Sequence, residues 1–418
     1  MKTFTKSFTR QEPIPEAGIA RAVEVMRGGR LHRYNTYNTP PGELSETDLL
    51  EREFAAYTGA RYCLACASGG YALTTALRAF GLKHEEPALT NAFTLSPVPG
   101  AIIAAGGRPV LVETTEDLVI DLADLERKIA ASRARVLMLS HMRGHIVDMD
   151  RLMSLADKAG VAVIEDCAHT MGAAWRDTKS GRHGIAGCYS TQTYKHINSG
   201  EGGLVVCDDA DLMARATILS GSYMLYSRHI AGPAPEVYDD IRLDTPNCSG
   251  RMDNLRAAIL RPQLARIDAY REAWNARYRA VEEELGNVAA IRLPRRPREE
   301  TYVGSSIQFH LPDFGRRSIR DFLRRCTERG VEIKWFGAEQ PVGYTSRHQS
   351  WRYLESQTLP ETDRVLDHLC DMRLPLTFSE ADCRLIGEII RDCALATRAA
   401  IAAGELADGD PSFALEAT

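Results

Sequence analysis

Between residues 62 and 164 five short apolar runs alternate with four segments of helical spacing. The runs lie at 62–65, 87–90, 109–112, 136–139 and 161–164; the segments at 70–80, 98–105, 122–131 and 149–159. Short runs with no polar alternation read as strands buried on both faces. Their alternation with helices predicts an α/β fold, a mostly parallel sheet with helices on both sides. The last run, VAVI, stops abruptly at Glu165 and Asp166. An acid at the carboxyl end of such a strand sits where open α/β sheets place their ligand chemistry.

Farther on, Ser190 and Lys195 precede the turn Ser199-Gly200-Glu201-Gly202-Gly203 and an apolar strand at 204–207. A lone aspartate after a strand is often a turn former, and a lone lysine is usually solvated. Together in one pocket they would suit pyridoxal phosphate, which needs a lysine for its Schiff base and an acid for its ring nitrogen. Ser68-Gly69-Gly70 follows the first strand and opens a helix, where backbone N–H groups bind phosphate and glycines allow close approach. A dinucleotide reading is weaker. ASGGYA lacks the required glycine register, and the next strand ends in Thr90-Asn91 without an acid.

A chain of 418 residues exceeds one small core, so more than one domain is expected. The texture changes after Met252. A long helix, or two joined near Pro262, spans 255–284; a strand at 305–310, a helix at 317–329, a strand at 331–335 and a closing helix at 379–393 follow. Upstream, a helix at 17–26 ends at Gly28-Gly29, residues 30–41 read as loop, and Ser45 caps a helix stopped by Gly59. The expected division is an N-terminal segment with a substrate loop at 1–44, a large domain at 45–255, a smaller α+β domain at 256–398, and a mobile tail at 399–418. The net charge of −5 gives no electrostatic case for nucleic acid or anionic membrane. No apolar run reaches the length of a membrane span, and the first residues lack a signal peptide's apolar core. The ten cysteines are scattered. Cys63-x-x-Cys66 has no second pair or matching His spacing, so free core thiols, no metal and a cytoplasmic location are expected.

Six ordered stretches carry a resemblance: SGGYAL (68–73), HMRGHIVDMD (141–150), VIEDCAHTMGA (163–173), GCYSTQTYKHINSGEGG (187–203), GRMDNLRAAILRPQL (250–264) and LPETDRVLDHLCDMRLPL (359–376). From about Gly29 to about Ile390 the chain resembles the DegT/StrS group of PLP-dependent, mostly sugar, aminotransferases. The resemblance implies the aspartate-aminotransferase-like fold (PLP fold type I), with the cofactor on the large domain. It places Lys195 as the Schiff-base lysine and Asp166 as the partner of the pyridine nitrogen. His169 stands where the group usually has Gln, beside the cofactor's phenolic oxygen. Ser190, with Ser68, Gly69, Gly70 and Tyr71, matches the phosphate cradle.

The sequence departs from that group's pattern at three places. Leu95 stands where an aromatic commonly stacks on the ring, with Phe93 nearby as a substitute. Asn247 and Ser249 are the two candidates for a side chain that reaches the phosphate across a dimer. LHRYN (31–35) is not the usual wording of the substrate loop. Arg33, Tyr34, Arg143 and His196 are candidates for holding polar or anionic substrate groups. One branch of the fold replaces the lysine with histidine and dehydrates sugars; Tyr194-Lys195-His196 keeps the lysine, which favours amino transfer. The implied activity is ping-pong transfer from glutamate or glutamine to a ketone acceptor, a keto sugar or related polyhydroxy ketone. A homodimer with shared active sites is implied as well. The rivals are a PLP dehydratase or lyase on the same fold, a transaminase of small keto acids, and a cofactor-free regulatory protein that kept the fold.

Overall fold

A computed structural model of the chain describes residues 2–34 and 43–406. The large sheet takes its strands from β1 (Tyr62–Cys66), β2 (Pro87–Asn91), β3 (Arg108–Val112), β4 (Val136–Ser140) and β5 (Ala162–Asp166). After the short strands β6 (Ala174–Trp175) and β7 (Thr178–Lys179), it adds β8 (Ala186–Ser190) and β9 (Gly203–Cys207). The order across the sheet is β1-β9-β8-β5-β4-β2-β3. Pairs β3–β2, β2–β4, β4–β5 and β5–β8 are parallel, while β8–β9 and β9–β1 are antiparallel. The expected mostly parallel α/β sheet is therefore present.

The strand period of two explains why the runs carried no polar alternation. In β4, Val136 and Met138 join one apolar cluster with Ala72, Ala76 and Ile102. Leu137 and Leu139 point the other way, into a cluster with Leu125, Leu152 and Ala156. Both faces are dry, so every position is apolar until the strand ends. Parallel pairing then puts the ends of β4, β5 and β8 at one edge: Ser140, Asp166 and Ser190. Two antiparallel steps return β1 to the same direction, so Ser68 reaches that edge too.

The smaller part is built on an antiparallel sheet, β11 (Ser306–His310), β13 (Leu369–Arg373) and β12 (Lys334–Trp335), in the order β11-β13-β12. A two-residue strand between them and the large sheet, β10 (Glu300–Thr301), pairs with β6. Phe309, Phe322, Cys370, Met372, Ile386 and Ile390 form its core with the helices Arg316–Glu328 and Glu380–Ala402.

Two expectations are corrected, and of the alternatives for 255–284 the second holds: two helices, Asn254–Leu264 and Ile267–Leu285. Pro262 lies inside the first, near its end, and the chain breaks just after it because proline's ring and missing donor weaken the preceding turn. The strand expected at 331–335 shrinks to Lys334–Trp335, which is all that pairs with β13. The closing helix runs on to Ala402, so residues 399–402 of the expected mobile tail are helical. Three of those four residues, Ala399, Ala400 and Ala402, are alanine, the strongest helix former. The rest of that tail beyond residue 406, and residues 35–42 of the substrate loop, lie outside the described residues. Among the described residues no helix is long and apolar enough to cross a membrane. All ten cysteines are free thiols.

One buried acid locks the strand that carries Asp166. Glu165 is fully buried. Its Oε1 accepts from the N–H groups of His183 (2.8 Å) and Gly184 (2.9 Å). Its Oε2 accepts from Gly181 N–H (2.8 Å) and lies 3.0 Å from His141 Nε2. Burial alone would raise its pKa, but these bonds outweigh it and hold the carboxyl below its ordinary value. A carboxyl so held stabilises fully above the ordinary carboxylate range and loses that contribution as acid titrates it. Glu165→Gln turns an amide NH2 toward groups that already donate. We expect a loss of about 3 kcal/mol, since buried donors are left unpaired. Urea denaturation checks this, and an unchanged midpoint at neutral pH would refute it.

Candidate active site

A cavity of about 730 Å3 lies at the shared strand edge, closed from the other side by β12 and β13. Ser68, Gly69, Gly70, Leu95, Arg143, Asp166, His169, Ser190 and Lys195 all line it. Most of the residues singled out in the sequence thus meet in one place, although they are spread over 128 positions of chain (68 to 195).

Asp166 ends β5 and is held by a relay from two other strand ends. Its Oδ2 accepts from Ser140 Oγ at 2.8 Å, and Ser140 Oγ accepts from Thr94 Oγ1 at 2.8 Å. The amide of Asn91 brackets Ser140, accepting from its N–H and donating to its carbonyl, both at 3.0 Å. The N–H of Ala168 donates to Asp166 Oδ1 at 3.1 Å. The carboxylate is therefore fixed in direction before any ligand arrives.

Lys195 is half-buried in the cavity wall, and its Nζ lies 2.9 Å from His169 Nε2. Burial pulls the amine's pKa down to about 8. Asp166 opposes that shift, while the guanidinium groups of Arg143 and Arg373 reinforce it. A sizeable fraction of the amine is therefore uncharged near neutral pH.

Burial, with Lys195 and Arg143 nearby, holds His169 well below its ordinary pKa, so the ring is neutral. The backbone N–H of Arg143 donates to its Nδ1 at 3.3 Å. The ring proton must then sit on Nε2, which faces Lys195 as a donor. Arg143 adopts a left-handed backbone (φ 55°) to aim that N–H, and Gly144 follows at φ 79°. A Cβ on Gly144 would press on the carbonyl of His169 at 3.2 Å.

At the opposite end Ser68 caps the helix Gly69–Phe80, its Oγ accepting from Tyr71 N–H at 3.1 Å. A Cβ on Gly69 would stand 2.7 Å from that of Ser190. Glycine is what lets the helix N-terminus close on the Ser190 hydroxyl. Tyr71 contributes only its backbone; its hydroxyl turns away and donates to Leu219 O at 2.9 Å.

Other predicted residues are placed elsewhere. Arg33 is buried in a two-pronged pair with Glu51, both contacts at 2.8 Å. Tyr34 is 4% exposed, its hydroxyl 3.2 Å from His229 Nδ1. Neither lines the cavity: the Arg33 fork ties this segment to the helix Glu46–Thr58, and the Tyr34 hydroxyl is directed at His229. His196 also lies outside it, 3.1 Å from Ser305 Oγ and edge-on to Trp274. Burial pushes its pKa down to about 3, so it is neutral. Phe93 does not replace the stacking aromatic: it is 2% exposed and packs against Phe336. Leu95 alone of the two forms the wall. Asn247 and Ser249 are on the surface and do not reach the cavity within one chain.

The sequence reading missed Asn91, Ser140, Lys334, Asp371 and Arg373. A signal was present for the last two. In LCDMR the polar Asp371 and Arg373 alternate with Cys370 and Met372, which marks a strand with one face in the core and one in a site.

Comparison with known proteins follows this geometry. Residues 33–391 match the model of the DegT/DnrJ/EryC1/StrS aminotransferase family. An L-glutamine:2-deoxy-scyllo-inosose aminotransferase of Streptomyces lividus is 30% identical over 62% of this chain and 60% of its own. A pleiotropic regulatory protein of Geobacillus stearothermophilus is 30% identical over 76% of this chain and 80% of its own. The chain spans between 56% and 64% of the first three curated relatives it matches. The crystal structure of the aminotransferase TlmJ from Streptoalloteichus hindustanus shares the fold, with a TM-score of 0.78 at 20% identity over 93% of this chain and 99% of its own. The matched span contains Asp166, His169, Ser190 and Lys195, and the chain belongs to the DegT/DnrJ/EryC1/StrS aminotransferase family.

Proposed function

We propose that the cavity binds pyridoxal phosphate and that the chain transfers an amino group from an amino-acid donor to a ketone. The observation that carries this reading is the half-buried Lys195 amine, with a pKa of about 8, in one cavity with the pre-oriented carboxylate of Asp166. The residues fit the cofactor. Ser68, Gly69, Gly70 and Ser190 would hold the phosphate, in a cradle that a Cβ on Gly69 would fill. Asp166 would hold the proton on the ring nitrogen. His169 Nε2–H would donate to the phenolic oxygen, as the amide of a glutamine would. Leu95 would supply an apolar wall against the ring. When bound, the cofactor supplies an electrophilic carbonyl and a ring that accepts the electron pair left at the substrate's amino-bearing carbon.

Lys195 then has two tasks. Its Nζ anchors the cofactor, and, once displaced by the donor's amine, moves a proton at the substrate carbon. Both need an uncharged amine at working pH, which burial provides. The relatives' names give L-glutamine as donor and inososes as acceptors, which supports an amino-acid donor, glutamine or its analogue glutamate, and a keto sugar or related polyhydroxy ketone as acceptor for this chain. A homodimer is part of this reading. Asn247 and Ser249 face outward beside the exposed Tyr223, Met224 and Leu243, where a second copy would bring them to a neighbouring site. A relative named as a regulatory protein does not shift the reading, because the lysine and its acid are both retained here.

Lys195→Ala should abolish both the visible absorbance that develops on adding pyridoxal phosphate and turnover; a variant with unchanged turnover would overturn the assignment. Asp166→Asn should leave binding of the cofactor detectable and lower turnover by about 10^3-fold, the scale expected for losing a charge that stabilises the transition state. Cofactor capture by the apo-chain should rise about tenfold per pH unit below 8 and flatten above, as the free base of Lys195 forms. Stopped-flow absorbance measures this, and a pH-independent rate between 6 and 8 would contradict the depressed amine.

A further inference from the structure

The face of the small sheet that closes the cavity carries more positive charge than it neutralises. On β13, Asp371 and Arg373 are two residues apart and share a face, and Lys334 on β12 stands directly opposite Asp371. Cys370 and Met372, on the other face, belong to the core. Arg143 approaches from the large sheet's side, its Nη2 2.8 Å from Asp371 Oδ2. Three cations therefore converge on one buried carboxylate, whose Oδ1 is also taken by Gln308 Nε2 at 2.8 Å. The next acid along, Glu332, is exposed at the rim.

The guanidinium groups are not satisfied by this arrangement. Arg143 is 9% exposed, and its buried Nε has no hydrogen-bond partner. Among the described residues the Arg373 guanidinium has no hydrogen-bond or ion-pair partner and stacks over the Tyr194 ring at 4.3 Å. Burial and the neighbouring Arg143 pull Arg373 down to about 10, well below an ordinary guanidinium. Like charges held together in a low-dielectric wall cost free energy unless an anion joins them.

We propose that Arg143 and Arg373, flanked by Lys334, clamp the α-carboxylate of the amino acid or keto acid that reacts at Lys195. The inference rests on the reading of Lys195 as the reacting amine, and it names what that reading leaves open: the substrate's charge. A planar carboxylate matches the fork of a guanidinium. Position favours an α-carboxylate over a nucleotide-linked phosphate as the occupant. Both arginines line the cavity with Lys195: the Arg143 N–H donates to His169, whose other ring nitrogen lies 2.9 Å from the Lys195 amine, and Arg373 stacks on Tyr194, the residue next to Lys195. An α-carboxylate is one bond from the carbon that gains or loses nitrogen, whereas a diphosphate would lie a sugar ring farther away. The cradle at Ser68 and Ser190 is at the other end, so the clamp does not compete with it.

The test uses glutarate, which carries carboxylates but neither amine nor ketone, and its neutral diamide. Calorimetry on the holoenzyme should show glutarate binding that weakens with salt, and no comparable binding of the diamide. Arg373→Gln should weaken glutarate at least 30-fold, and Arg373→Lys should recover part of it. Removing Arg373 strips no buried acid of its partner, so these variants are expected to fold. Equal glutarate affinity in wild type and Arg373→Gln, or no glutarate binding at all, would overturn the clamp. The two sources of the carboxylate separate kinetically. A raised KM for L-glutamate in Arg373→Gln assigns the clamp to the donor; a raised KM for pyruvate with L-glutamate unaffected assigns it to the acceptor. If neither moves, the clamp is refuted. A chain that never develops the cofactor's absorbance refutes the functional reading alone; glutarate calorimetry is then run on that chain as it stands and still reads the clamp.

Discussion

A carboxylate at the end of β5 can stay charged and oriented out of bulk water only if neighbouring strands bring donors to it. Ser140 arrives because β4 pairs with β5 in parallel and stops at the same level. Thr94 and Asn91 arrive because β2 lies next in the sheet. The order of strands, not their sequence order, therefore builds the hydrogen-bond relay under Asp166. Glu165 secures the other side of the same strand end by fastening the turn at 181–184. Adjacent acids thus divide the work: one holds the scaffold, the other faces the cavity.

Electrostatics then couples the two halves of the molecule. Lys195 comes from the large sheet's side, Arg373 and Lys334 from the small sheet, and Arg143 stands between them. Burial lowers the Lys195 amine to about 8, and the cations gathered beside it add to that shift. An anion bound at Arg143 and Arg373 would relax that pressure, and Lys195 would become more basic when substrate binds. Proton transfer and substrate capture would in this way be linked through charge alone, with no moving part required.

How much of this was legible in the sequence follows from the range of the forces involved. The strands β2 to β5 announce themselves because burial on both faces forbids polar residues, a purely local signature. β8, Ala-Gly-Cys-Tyr-Ser, gives no apolar run, and its strand state comes from pairing with β5 and β9. Gly187 is required there because the carbonyl of Gly181 would lie 2.5 Å from any Cβ. No window of sequence contains that contact. Asp166, His169 and Lys195 could be named because family motifs surround them. Asn91 and Ser140 could not, since an Asn or Ser at a strand end is ordinary until its partner across the sheet is known.

Arg33 and Arg143 show where residue type stops being informative. Both stand in polar, aromatic-rich or glycine-containing stretches, and both read equally well as substrate-binding arginines. Arg33 meets Glu51, whose two oxygens match its fork, with Asp48 3.9 Å away, and is thereby neutralised. Arg143 stands at a cavity wall and meets one carboxylate that Gln308, Lys334 and Arg373 already share or face. The difference is the local count of acids against bases within reach of each guanidinium. That count depends on residues 18 positions away for Arg33 and 228 away for Arg143, the separations to Glu51 and Asp371. A buried guanidinium with a matching acid is structural, whereas one with a surplus of cations around it is waiting for an anion from outside the chain.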